Sequence, residues 1–319
     1  MNLTDLFYFT VLAREKSFTK AARQLHITQQ SLSAHVAAVE KELGCPLVIR
    51  HIPLELTYGG QVFLRYARQM EQIYGNLLRE FGDITANQQG VLRIGVAFTR
   101  GRVVLPSIIA AFQKQYPKVE VQLVERPNKE LQEDVLRGRT DLAIGYFTEE
   151  TEELEYKPFY EEEVALALPE KLSQRAGLSL KELSTRTAAG RLEDLAEVPF
   201  ILGSQDDIAG SLGRKLLHQA DFKPYVTVRS YNVETMLTLC SQGVGACFCP
   251  RNLAASVFRL QGPQDFVLLP LGKEAQIAIR FAWKKTAYPW QVLKAFQQIA
   301  LDSLFQIPDG KNKHSLQEL

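Results

Sequence analysis

The stretch KSFTKAARQLHITQQSLSAHVAAVEKELG occupies residues 16–44. Ser17 or Thr19 offers a hydroxyl to satisfy an otherwise free N–H at a helix start. Phe18, Ala21, Ala22 and Leu25 then recur at helical spacing and give that segment one apolar face. His26, Ile27 and Thr28 interrupt the pattern. It resumes with Leu32, Val36, Val39 and Leu43, and Gly44 supplies a natural C-terminal stop. Two short helices across a tight break predict a helix-turn-helix.

Working outward, Leu3, Leu6, Phe9, Leu12 and Ala13 predict a preceding helix over residues 3–14. After Gly44, Leu47 to Ile49 and Leu54 to Thr57 are short β-prone runs. Arg50, His51, Ile52 and Pro53 join them as a small hairpin. From Gly60 to about Asn87 there is no proline. Phe63, Tyr66, Met70, Ile73, Leu77, Phe81 and Ile84 fall three or four residues apart, a heptad-like seam that predicts a long helix paired with another helix. Asn87 to Gly90 reads as a hinge.

Beyond the hinge the pattern changes to alternating strands and helices. Strands are predicted at Val91–Val96, Val119–Val124 and Asp141–Gly145, with helices at Val103–Gln115 and Lys129–Arg137 between them. This βαβαβ rhythm implies an α/β domain with parallel pairing. Further strands are expected at Val164–Leu168, Pro199–Leu202, Tyr225–Arg229, Gly245–Phe248 and Ile277–Trp283. Helices are expected near Ile208–Gln219, Val233–Ser241 and from Pro289 to about Phe305, with a polar, disordered tail from Pro308.

Net charge is +1, so any attraction to nucleic acid must be local. Lys16 to Val39 holds Lys16, Lys20 and Arg23 and no Asp or Glu. Acid concentrates in Glu149, Glu150, Glu152, Glu153 and Glu155 and again in Glu161 to Glu163, which read as a solvated loop. Met1 to Val11 carries no basic run, so no export signal is expected, and no apolar run approaches the ~20 residues that span a bilayer. Cys45, Cys240, Cys247 and Cys249 make no disulfide framework; the last three read as small buried apolar side chains. A cytoplasmic protein follows, with no metal and no cofactor expected. An enzyme on the α/β scaffold is the competing class. Against it, the chain has no nucleophile elbow, P-loop, metal motif or dinucleotide fingerprint. A solute-binding protein would need the export signal.

A helix-turn-helix lays its second helix in the major groove, with polar side chains near its start meeting base edges. Gln29, Gln30, Ser31, Ser33, Ala34 and His35 lie on the outside of that helix. Gln pairs bidentately with adenine, and Ser serves either base. Ser17, Thr19, Lys20, Arg23 and Thr28, with Arg50 in the hairpin, complete the candidate DNA-contacting set; its cations suit phosphates.

The run Ser17 to Ala22, then Leu25, Gln29 to Ser33, Val39-Glu40, Leu43-Gly44, Leu47, Arg50, Leu56-Thr57 and Gly60 resembles the signature of LysR-type transcriptional regulators. The remainder is similar in order: Leu105-Pro106, Phe112, Tyr116-Pro117 and Asp141 to Ile144, then Gly243 to Gly245 and Pro250. Departures stand at Gln30, Val48, Pro53 and Gly59. The Pro53 change removes a basic wing residue.

The resemblance implies a multidomain α/β protein: a winged helix-turn-helix over residues 1–60, a linker and dimerisation helix over 61–89, and a two-lobed effector domain over 90–306. Lobe I would take residues 90–163 and 267–306, and lobe II 164–266. A flexible tail would fill 307–319. It implies base contacts from Gln29, Gln30, Ser33 and His35, and an effector cleft like that of periplasmic binding proteins. In such clefts ligands meet strand ends and helix N-termini. Thr99, Arg100 and Arg102, read as a loop before a helix, are then placed for an anion. Tyr146 and Phe147 would wall the cleft, with Gly203, Ser204, Gln205 and Asn232 facing from the second lobe. The expected partners are double-stranded DNA bearing an interrupted inverted repeat, a small organic anion as effector, and copies of the chain in a dimer or tetramer. No membrane partner is expected.

Overall fold

The computed structural model describes residues 1–51, 53–84, 89–261, 265–286 and 290–304. The chain forms two compact units, residues 1–89 and 90–319. Ile52 of the hairpin, Asn87 and Gln88 of the 87–90 hinge, Pro289, Phe305 and the tail after it lie outside the described residues.

The first unit is built from α1 (Leu3–Glu15), α2 (Phe18–Gln24), α3 (Gln29–Leu43), a two-residue pair β1 (Val48–Ile49) and β2 (Glu55–Leu56), and α4 (Tyr58–Ile84). Each start has a chemical cause. Asn2 and Asp5 close a reciprocal capping box on α1. Ser17 accepts from the Lys20 N–H to cap α2, and Thr28 from the Ser31 N–H to cap α3. Gly44 ends α3 in the left-handed region at φ 72°.

Leu6, Phe9, Leu12, Ala21, Ala22, Leu32, Val36 and Val39 close one core, joined by Leu47, Val48 and Leu54 from the hairpin. Leu3 and Leu43, expected in it, are exposed because they sit at the outer ends of their helices. The core does not stop at residue 60. Phe63 and Ala67 of α4 are part of it, with Phe63 edge-on to Phe9 at 4.9 Å between ring centres. Phe63 therefore leaves the expected pairing seam, whose exposed portion begins at Tyr66.

Gly60 lets α4 pass the hairpin. A Cβ there would sit 2.0 Å from the Leu47 carbonyl oxygen, and that contact is with backbone. Gly60→Ala is expected to destabilise the first unit by about 1–3 kcal/mol through this overlap. A thermal melt of residues 1–89 reads the effect, and an unchanged Tm contradicts the close approach.

The second unit contains β3 (Gly90–Val96), α5 (Phe98–Gln115), β4 (Val119–Glu125), α6 (Asn128–Leu136), β5 (Leu142–Gly145), β6 (Leu154–Pro169), α7 (Glu170–Ser173), α8 (Leu180–Ala188), β7 (Pro199–Leu202), α9 (Ile208–Gln219), β8 (Tyr225–Arg229), α10 (Val233–Ser241), β9 (Cys247–Pro250), α11 (Arg251–Gln261), β10 (Phe266–Pro270), β11 (Gln276–Lys284) and α12 (Gln291–Leu304). β3 pairs in parallel with β4 and β5, as the βαβαβ rhythm predicts. β11 extends that sheet, antiparallel to β5.

The strand β6 belongs to two neighbourhoods. Leu154 to Glu163 pair with β11, while Val164 to Pro169 pair with β9 and β10. β7 and β8 form a separate parallel pair. β10, assigned from sequence to the first lobe, lies against the second half of β6.

Two expectations are corrected by these elements. The acidic stretch is only partly a loop: Glu155 and Glu161 to Glu163 are in β6, where alternate side chains face opposite ways. Glu161 is exposed and Glu162 buried. Helix α5 begins at Phe98, so Thr99, Arg100 and Arg102 are helical residues.

Candidate functional site

In the first unit, the exposed first turn of α3 presents Gln29 and Gln30, with no acidic side chain in that turn. Thr19, Lys20, Arg23 and Thr28 are also exposed, and Ser17, Ser31 and Ser33 half-buried. Ser17 and Thr28 spend their hydroxyls as caps, which fixes where the helices start.

Arg50 reaches back from the hairpin. Its Nη1 donates to Ser33 Oγ at 3.1 Å, its Nη2 to Glu40 Oε2 at 3.3 Å, and its guanidinium lies over the Phe18 ring. Glu40 also accepts from the Leu47 and Val48 N–H groups. This carboxylate pins the hairpin to α3. Sequence reasoning gave it no role, because its partners are backbone groups seven and eight residues away.

His35 does not point outward with the glutamines. Its Nδ1 is 2.7 Å from Asp5 Oδ1, and its ring meets Tyr8 edge-on at 4.9 Å. It lies on the flank of α3 that meets Asp5 and Tyr8 of α1. Burial opposes ionisation of Asp5, but hydrogen bonds from His35 and the Asn2 N–H outweigh it and hold the carboxyl below the usual range. A carboxyl depressed in the folded state stabilises above its unfolded pKa, near 4, and loses that contribution as pH falls through the folded value. Acid unfolding of residues 1–89, followed by circular dichroism, should therefore steepen below about pH 4. In Asp5→Asn that acid-sensitive component should be gone; an identical acid profile would mean that the pair does not contribute.

In the second unit, Thr99, Arg100 and Ser204 line a cleft of about 470 Å³. Phe98, Glu125, Arg126, Asn128, Glu162, Asp207 and Tyr231 are among its other walls. Arg100 is 5% exposed. Its Nε and Nη2 grip Glu162 at 3.3 and 2.9 Å, and the Tyr160 hydroxyl donates to the same carboxylate at 2.9 Å. Burial opposes the guanidinium charge, but Glu162 beside it more than compensates. Burial, reinforced by Glu162, pushes the Tyr160 phenol far up, and burial likewise raises Asp207, whose side chain caps α9.

The other expected cleft residues do other work. Arg102 is ion-paired with Glu234. Asn232 caps α10 through the Glu234 and Thr235 N–H groups. Phe147 is buried in a side cluster and Tyr146 packs on the main core. Gly203 accepts from Arg214, and Gln205 is exposed. None of these six is a wall of the cleft among the described residues. Asn128, missed in the sequence, both lines the cleft and clasps the Tyr146 backbone with two hydrogen bonds.

Cys240, Cys247 and Cys249 are free and fully buried. A hydrogen bond with Cys240, then burial, raises the Cys247 thiol; burial raises Cys249. Thiols held protonated are poor nucleophiles. Among the described residues no cluster suits a metal ion, and no helix is long and apolar enough to cross a membrane.

Comparison with known proteins agrees along the chain. Residues 3–61 match the bacterial regulatory helix-turn-helix protein, lysR family, and residues 85–304 match the LysR substrate binding domain. The "uncharacterized HTH-type transcriptional regulator YcgK" of Bacillus subtilis (strain 168) is 29% identical over 318 residues, 97% of each chain. The HTH-type transcriptional regulator AlsR of the same strain is 29% identical over 268 residues, 82% of this chain and 83% of its own.

Among solved structures, full-length CbnR in complex with its target DNA shares the fold at TM-score 0.64 and 23% identity, covering 95% of this chain and all of that one. A full-length OxyR variant from Pseudomonas aeruginosa does so at TM-score 0.69 and 23% identity, covering 95% and 94%. The chain thus belongs to the LysR family: it is a LysR-type transcriptional regulator, with a DNA-binding helix-turn-helix and an effector-binding substrate domain.

Proposed function

We propose that the protein is a cytoplasmic homo-oligomer that reads an interrupted inverted repeat through the first turn of α3 and is controlled by a small organic acid bound in the 470 Å³ cleft. The observation that carries the DNA reading is the exposed Gln29-Gln30 pair at the start of a helix without acidic residues in its first turn. Gln29, Gln30 and Ser33 take the base-edge role. Lys20, Arg23 and Arg50 take phosphates, and Thr19 and Ser31 stand beside them. Ser17, Thr28 and His35 act by holding the helices in place.

Within the chain, residues 1–67 form the reading head and α4 beyond it the pairing segment. Residues 90–163 with β11 and α12 make the first lobe, and 164–270 the second. The change of β6 partners between Glu163 and Val164 supports that division.

The exposed row Tyr66, Met70, Ile73 and Leu77 supports self-association through α4, because an apolar stripe on so long a helix needs a partner. Two copies present two heads, and two heads on a two-fold axis match an inverted repeat. Control is linkage: the effector shifts the oligomer only by binding one arrangement of the lobes better than the other. Thr99, Arg100 and Ser204 are the expected cleft residues that remain as effector contacts.

Fluorescence anisotropy on the DNA upstream of the protein's own gene tests the reading surface. Gln30→Ala should weaken specific binding by about 1–3 kcal/mol while leaving binding to random duplex unchanged. Arg23→Ala should weaken both alike and lower the salt slope by about one. Equal loss on specific and random DNA in Gln30→Ala would remove Gln30 from base readout.

A further inference from the structure

Taking the cleft as the effector site, we propose that its ligand is a zwitterionic amino acid, whose ammonium lies between Glu125 and Asp207 and whose carboxylate meets the first turn of α5. The cleft's charges point this way. Four carboxylates line it (Glu125, Glu162, Asp206 and Asp207) against two arginines, Arg100 and Arg126. Glu162 is taken by Arg100, and Asp206 by Lys129 at 2.6 Å. Arg126 lies 3.7 Å from Asp134, a carboxylate that Arg139 holds more closely. Among the described residues neither Glu125 nor Asp207 has an ion-pair partner. Glu125 reaches over the start of α5, where a Cβ on Gly101 would come 3.5 Å from its Oε1. Asp207 lines the same cleft at the start of α9. A ligand carrying only negative charge would meet both carboxylates with only Arg126 to offset them.

The same cleft also offers donors. α5 and α6 both start without a side-chain cap, at Ala97 and Pro127, and residues of both starts line the cleft. Uncapped N–H groups at such a start favour a carboxylate. Arg100, 4% exposed in its side chain and a wall of the cleft, keeps one guanidinium nitrogen, Nη1, buried with no partner. That nitrogen points to an acceptor supplied from outside the protein. The rim adds Phe98 and Tyr231, 59% and 89% exposed, whose ring faces attract cations. A carboxylic acid satisfies the donors alone and an amine the carboxylates alone. An amino acid satisfies both.

The test uses the full-length protein and isothermal titration with individual L-amino acids. Each binder is repeated with its 2-hydroxy acid, lacking the ammonium, and its decarboxylated amine. At least one amino acid should bind, and both analogues should bind at least about tenfold more weakly. Glu125→Gln and Asp207→Asn should each weaken the amino acid by about tenfold, a loss of about 1.4 kcal/mol. Asn keeps the cap on α9, so an unchanged Tm of the ligand-free variant certifies the fold.

A hydroxy acid that binds as tightly as its amino acid, or an absence of binding across the whole set, overturns the proposal. Thr99→Tyr, which fills the cleft, separates this from failure of the cleft reading. A hydroxy acid that binds and is blocked by Thr99→Tyr leaves the cleft as the effector site and removes only the ammonium. An amino acid whose binding ignores Thr99→Tyr places the site elsewhere.

Discussion

Glu162→Ala should destabilise the second unit by about 3–5 kcal/mol, because it leaves Arg100 as a buried cation without its counter-ion. Arg100 and Glu162 are each 5% exposed, so in the folded unit the carboxylate rather than water compensates the guanidinium. Both tryptophans, Trp283 and Trp290, lie in this unit, so their fluorescence during urea unfolding reports it without signal from the first unit. Arg100→Met combined with Glu162→Leu removes both charges and fills similar volume. That double variant should recover most of the loss, since an apolar pair often replaces a buried ion pair at little cost. A Glu162→Ala protein as stable as the parent would show that solvent or another group neutralises Arg100. A double variant no better than the single one would assign the loss to packing.

If the chain self-associates through α4 as proposed, Ile73→Glu combined with Leu77→Glu should yield monomers and reduce affinity for a full inverted repeat by about a hundredfold or more. Two linked heads gain that factor from effective concentration alone. Ile73 and Leu77 are 69% and 48% exposed and sit four residues apart on α4, so charges there do not enter the first unit's core. Binding to an isolated half-site should therefore be unchanged. Sedimentation velocity reads the first effect and anisotropy on whole and half sites the second. If the double variant sediments like the parent, the copies meet through another surface.

What could be read without coordinates was what local chemistry dictates. Ser17, Thr28 and Gly44 bracket α2 and α3 because caps and stops act within a few residues. The βαβαβ run was legible because its strands are apolar and its helices periodic. The first half of β6 was not legible: Glu155 and Glu161 to Glu163 are polar enough to read as loop, and their strand is defined by β11, more than a hundred residues later. The start of α5 is hidden in the sequence because Ala97 gives no capping signal and Gly101 suggests a loop. In the site, Thr99 and Ser204 followed from their places at strand and helix ends. Glu162 and Asn128 did not, because the partners that define them, Arg100 and Tyr146, are remote in sequence. The orientation of His35 is hidden for the same reason: Asp5, thirty residues earlier, turns it toward α1.

The double membership of β6 also governs when this unit becomes itself during synthesis. Leu154 waits for Lys284 as its neighbour, and Leu168 waits for Val267. A nascent chain that has released residues 90–250 holds β3, β4 and β5 with one edge still open, and β6 with β9 alone. Non-local closure of this kind is slow and leaves strand edges exposed until the last partner emerges. A ribosome paused shortly before residue 276 would therefore carry a protease-sensitive, chaperone-seeking chain, and one released past residue 304 a protected domain.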